Sequence, residues 1–127
     1  MGSRTTNPIN KFAERGDPVN ADFTHADLIL NANWHDLDLS GIVPGTAKAV
    51  ILNLCIMNTV SNDVLIRFRK KGNVNDDVKV PNLQTQVINR LIYGQLVVVC
   101  DENQFIQYLG NVAANTTLSI TVYGWFT

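Results

Sequence analysis

The stretch from Ala47 to Lys71, AKAVILNLCIMNTVSNDVLIRFRKK, constrains the fold of this chain more than any other. Val50, Leu52, Leu54 and Ile56 occupy alternate positions in its first half, and Val64, Ile66 and Phe68 alternate in its second. A period of two puts each set on one face of a strand. The opposite face of the first half carries Ala49, Ile51, Asn53, Cys55 and Met57, and that of the second carries Leu65, Arg67 and Arg69. The reading is two long antiparallel strands joined by a turn over residues 58 to 63. One face is core, and the other meets something less dry.

Turn signals divide the remaining chain into further short strands. Residues 1 to 22 are polar, broken by Pro8, Gly16 and Pro18, and lack an apolar period, so they read as an extended N-terminal arm, disordered or laid against a neighbour, that does not support the core. From Phe23 onward, strands are expected at 27–30, 34–39, 78–80, 96–100, 104–109 and 116–125, with residues 83–90 imperfectly phased and residues 89–93 compatible with a helical turn. Trp34, Leu37 and Leu39 break strict alternation, which points to a bulge or an edge. Gly94 reads as a break before the β-branched run from Leu96 to Cys100, which reads as a buried strand. About eight strands with turns roughly every ten residues imply an all-β antiparallel sandwich or barrel, here read as a two-sheet jelly roll over residues 23–127.

At 127 residues, with 46% apolar and 17% charged side chains, the chain suffices for one folded domain without staples. Ten basic against 11 acidic residues give a net charge of -1, which leaves no global field to draw it onto nucleic acid or an anionic membrane. No apolar run is long enough for a membrane helix and no signal peptide is visible, so synthesis in a reducing cytosol is expected, whatever the final address. Met1, Gly2 and Thr6 fit a short myristoylation pattern that arises often by chance. Cys55 and Cys100 sit in apolar runs and are expected to be reduced, buried and inert.

Catalytic chemistry has little to stand on. His25 and His35 are widely spaced with no metal pattern, and His35 beside Asp36 and Asp38 reads as the solvated face of an edge strand. Asp76, Asp77, Asp101 and Glu102 fall in turns, where Asp serves turn geometry, with a calcium-binding loop as the rival reading. No nucleophile elbow or phosphate-binding Gly loop is present, so no enzyme, metal or cofactor is expected.

Two surfaces are candidates for binding. Arg67, Arg69, Lys70 and Lys71 form the most basic stretch, suited to an anion, to guarding a sheet edge, or to pairing with carboxylates of a neighbouring chain. Tyr123 and Trp125 are expected to leave the same outward side of the last strand, with Phe126 in the core. Together with Ile51, Asn53, Cys55 and Met57 they are candidates for a subunit interface, or for stacking on sugar rings.

The order NANWHDLDLSGIVPGTAKAVIL, IRFRKKGN, VVVCDENQFIQY and terminal ITVYGW, over about residues 23 to 126, resembles small jelly-roll domains of phage and virus-like particle structural proteins. The resemblance implies a virion setting, as a capsid, head-decoration or fibre component. It also implies a symmetric homo-oligomer, expected to be a trimer, whose arm docks on other virion proteins. The rival is a carbohydrate-binding or host-receptor-binding module on the same fold, with a surface glycan as ligand.

Overall fold

A computed structural model describes residues 11–74 and 80–127. The expected carboxylates Asp76 and Asp77, most of the strand expected at 78–80, and the Met1, Gly2 and Thr6 pattern lie outside the described residues. The protein is all-β, with nine strands among the described residues: β1 (Phe12–Glu14), β2 (Phe23–Thr24), β3 (His35–Asp38), β4 (Ala49–Asn58), β5 (Leu65–Lys70), β6 (Asn82–Gln84), β7 (Ile92–Val99), β8 (Phe105–Gly110) and β9 (Thr116–Phe126). Every pairing is antiparallel. Sheet A runs β1-β9-β4-β7, with β2 also on β9, and sheet B runs β3-β8-β5-β6. The count exceeds eight because one edge of sheet A is made of two short strands, β1 and β2.

The alternation in β4 works as its sequence demands. Val50, Leu52, Leu54 and Ile56 are all buried and meet Ile66 and Phe68 of β5, Ile106 and Tyr108 of β8, and Leu118, Ile120 and Val122 of β9 in one core between the sheets. Burying each such side chain is worth about 1.5–3 kcal/mol, and the β-branched residues suit the pleat. β4 lies between β7 and β9, so both its edges are satisfied.

Elsewhere tertiary contacts overrule local signals. Residues 25–27 form a single 3-10 turn, with Thr24 N–H donating to the Asp27 carboxylate at 2.9 Å, and Leu28 and Leu30 then enter the core without forming a strand. β7 begins at Ile92 and runs straight through Gly94, where a break was expected. A Cβ there would lie 2.8 Å from Leu83 Cδ1, so glycine lets Leu83 of β6 cross over the strand. Asn58 is fully buried at the end of β4: its amide donates to Ala114 O and Thr116 Oγ1, and its Oδ1 accepts from Val60 and Ser61 N–H. One side chain thus ties two loops at that end of the sandwich.

β1 and β2 are separated by residues 15–22, which leave the edge of β9 and return to it. Arg15 N–H donates to Tyr123 O at 3.0 Å and Asp22 N–H to Ile120 O at 2.9 Å. Between them Val122 N–H donates to the Asp22 carboxylate at 2.7 Å, and that carboxylate pairs with Arg15. A carboxylate therefore stands in for the missing strand partner. The part of the expected arm from residue 11 onward lies against the protein's own sheet.

Candidate functional site

The outward faces of the two sheets differ in kind. On sheet B, β3 presents Asp36 and Asp38, β8 presents Phe105, Gln107 and Leu109, and β5 presents Arg67 and Arg69, as the cross-strand register requires. These groups form a connected surface. Arg69 Nε donates to Gln107 Oε1 at 2.8 Å, Gln107 Nε2 donates to Asp36 Oδ1 at 2.9 Å, and Lys71 Nζ pairs with Asp36 Oδ2 at 2.9 Å. Trp34 lies against the Arg69 guanidinium, 4.1 Å from the ring centroid, and Lys71 Nζ sits 4.5 Å from the centre of Phe105. The Gln107 amide and then Lys71 hold the Asp36 carboxyl below its ordinary value, and Asp36 in turn raises Lys71. The Ser40 hydroxyl, then its N–H, lowers Asp38.

The four cations do not form the single patch expected. Arg67 and Arg69 share the outward face with Lys71, but Lys70 pairs with Ile106 and points the other way. It lines a cleft of about 530 Å3 at the end of the sandwich together with Lys48, Asp101, Glu102, Gln104 and Thr127. The reason is the strand period itself, which puts neighbours at 70 and 71 on opposite faces. Lys71 also has its carboxylate within its own chain.

The outward face of sheet A is of the opposite character. Ala49, Ile51, Asn53, Cys55 and Met57 of β4 lie beside Tyr93, Gln95, Val97 and Val99 of β7 and beside Thr117, Ser119 and Thr121 of β9. None of these twelve side chains is charged, and Gln95 Nε2 donates to Asn53 Oδ1 at 2.8 Å in their midst. Sequence reasoning singled out Ile51, Asn53, Cys55 and Met57 but missed Tyr93, Val97 and Val99, which are more than half exposed. Val97 and Val99 were missed because the uninterrupted apolar run 96–100 reads as a strand buried on both faces, and Tyr93 because Gly94 reads as a break; the run is apolar on both faces, yet only one face is core.

Trp125 does not join Tyr123 on that face. Ile51 pairs with Gly124 and Leu52 with Val122, so Tyr123 is an extra residue in β9, a bulge that shifts the parity of everything after it. Trp125 then pairs with buried Val50 and packs against the core, while Phe126 turns outward and meets Phe12, ring centroids 5.5 Å apart. Tyr123 stacks on the same Phe12 at 5.9 Å. Beside it a shallow cleft of about 390 Å3 is walled by Glu14, Asp17, Asn53, Thr121 and Tyr123.

The remaining candidates fall apart as sites. His35 pairs with Tyr108 across the strands, on the face opposite Asp36 and Asp38, and its Nε2 meets Asn31 Oδ1 at 2.8 Å. Asp101 Oδ1 accepts from Asn103 and Phe105 N–H, a turn role. Both cysteines are free thiols whose pKa burial pushes up. Cys100 is buried, as expected, but Cys55 is only half-buried on the outward face of sheet A, beside Ser119. Among the described residues no group of three or more His, Cys, Asp or Glu lies together, and no helix is long and apolar enough to cross a membrane. No protein-family model matches the chain, and no curated protein matches it in sequence.

Proposed function

We propose that this chain is a non-enzymatic structural subunit of a phage or virus-like particle, a jelly roll that assembles into a closed homo-oligomer, the trimer being the expected form. Support for the jelly roll comes from the pairing scheme. With β1 and β2 counted as one interrupted strand, first pairs with last (β9), then β3 with β8, β4 with β7 and β5 with β6, alternating between the sheets. That is a long hairpin rolled over two sheets. The virion setting comes from the resemblance in motif order, and the polar first residues suit attachment to other virion proteins.

The observation that carries the oligomer is the uncharged stretch of the outward face of sheet A over β4, β7 and residues 117–121 of β9, bordered by Glu14 of β1. Water-facing sheet surfaces normally alternate core with charge, as sheet B does with Asp36, Asp38, Arg67, Arg69 and Lys71. A face built instead from Ile51, Cys55, Met57, Tyr93, Val97 and Val99 suits burial against protein. Light scattering at micromolar concentration should return a multiple of the 14.1 kDa chain mass, three-fold for the trimer. The mass of a single chain would remove this reading.

A second reading is favoured by the cleft beside Tyr123. An aromatic ring flanked by Asn53, Thr121 and the carboxylates of Glu14 and Asp17 offers stacking and hydrogen bonds to a sugar. Retention on a glycan array, lost in Tyr123→Ala, would favour a carbohydrate- or receptor-binding module.

A further inference from the structure

Among the described residues, each sheet edge but one is protected. β6 has three residues and follows Pro81, β3 carries His35, Asp36 and Asp38, and β1 and β2 are interrupted by a loop containing Gly16 and Pro18. These are the devices by which proteins keep sheet edges from pairing. β7 has none of them. From Leu91 to Cys100 the chain has no charge and no proline, its register with β4 is unbroken over eight residues, and among the described residues no strand lies on its other side.

Its hydrogen-bonding phase is readable. Cys100 N–H donates to Lys48 O at 3.1 Å, which makes that pair a hydrogen-bonded one. Such pairs alternate along an antiparallel ladder, so Val98, Leu96, Gly94 and Ile92 direct their backbone groups to β4. The N–H and C=O groups of Val99, Val97, Gln95 and Tyr93 therefore point away from the sheet. The side chains of these same four residues stand on the uncharged outward face, with Tyr93 72%, Val97 53% and Val99 52% exposed.

We infer that β7 pairs antiparallel with β7 of a second copy of this chain, about a two-fold axis at Gln95. The inference rests on the oligomer reading above and names one of its contacts. The strand is self-complementary about that residue: Val97 of one copy falls opposite Tyr93 of the other, and Val99 opposite Leu91, which is 40% exposed. No like charges meet in this register, and a net charge of -1 sets up little repulsion between copies. Eight residues at about 3.3 Å each make an edge about 26 Å long. Across two sheets about 10 Å apart plus their side chains, the band covered is roughly 20 Å wide, or about 500 Å2 of flat footprint per copy. That approaches the ~800 Å2 per partner of a standard interface, so the pairing suits a contact reinforced by others in a larger assembly. A two-fold contact of this kind links trimers to one another, and it closes a dimer where no three-fold contact forms.

The test uses Val97→Lys and Tyr93→Glu in the full chain, both at exposed positions, with thermal melts to show that each variant is folded. Each variant alone should lower the assembly mass at least two-fold, because a charge then faces an apolar partner. Mixing the two should restore the mass, since the lysine introduced in one copy then faces the glutamate introduced in the other. Folded singles of lowered mass that fail to recover on mixing would overturn the β7 contact while leaving the oligomer reading in place, and unchanged mass in both singles would count against both, because Tyr93 and Val97 also stand on the face proposed for the oligomer. A wild-type chain that is monomeric at 100-fold higher concentration than the working range would remove both.

Discussion

Gly124 pairs with Glu14 of β1, the strand that lies beside β9 at the edge of sheet A. A Cβ at this position would come within 2.5 Å of Ala13 O and 2.6 Å of the Phe12 ring, so the backbone of β1 could be relieved only by moving. Gly124→Ala should therefore cost about 1–3 kcal/mol, the usual penalty of overpacking, seen as a lower urea midpoint with an unchanged slope. Gly41→Ala, where nothing lies within 4 Å, is the control and should be close to neutral. Equal midpoints for the two variants would show that β1 does not press on β9 as described. The neighbouring residues explain why sequence reasoning misplaced Trp125 and Phe126. Strict alternation from Leu118 puts Trp125 outward, and one extra residue at Tyr123 reverses it. The local signal was Gly124 directly after it, since an isolated glycine inside a strand pattern often marks a bulge.

At the scale of elements, the long strands were legible because each carries enough alternation to fix its own face. β4, β5, β8 and β9 fall within a residue or two of their expected bounds, and β3 is the edge strand its irregular pattern suggested. The short β1 and the start of β7 were not legible, since their pairings come from β9 and β4, distant in the chain. The cation strand β5 illustrates how an element's charges are used once neighbours are fixed. Asp36 and Asp38 of β3 have folded pKa values below the ordinary 3.8. A carboxyl lowered by folding stabilises the folded state fully above its unfolded pKa, and that contribution is lost as pH falls through the folded value. The paired variant Asp36→Asn with Asp38→Asn should therefore be less stable than the wild type at pH 6, and the gap in urea midpoint should close toward pH 3. Both groups are exposed, so the gap will be small. A gap that stayed constant from pH 6 to pH 3 would mean the loss comes from packing and not from the carboxylates.

On the scale of the whole molecule, the outward face of sheet B is charged and internally connected and that of sheet A is uncharged over β4 and β7, and the arm region borders the second with Glu14 and Asp17. The expectation that residues 1 to 22 serve only attachment does not extend to residues 11–22, because these are occupied within the chain. Phe12 packs on Tyr123 and Phe126, β1 pairs three residues of β9, and the Asp22 carboxylate satisfies Val122 N–H with Arg15 beside it. Removing residues 1–10 keeps all of these contacts. Removing residues 1–22 deletes them, and leaves the edge of β9 unpaired along its upper half and one half-buried N–H without its carboxylate. Losing the packing of Phe12 on two rings and a few net hydrogen bonds should cost about 2–5 kcal/mol. The shorter truncation is expected to unfold at the wild-type urea concentration and the longer one well below it. If both unfold together at the wild-type midpoint, β1 and the Arg15–Asp22 clasp contribute nothing to the sandwich. A midpoint lowered only in the longer form would place the boundary between attachment and fold at Lys11, not at Phe23.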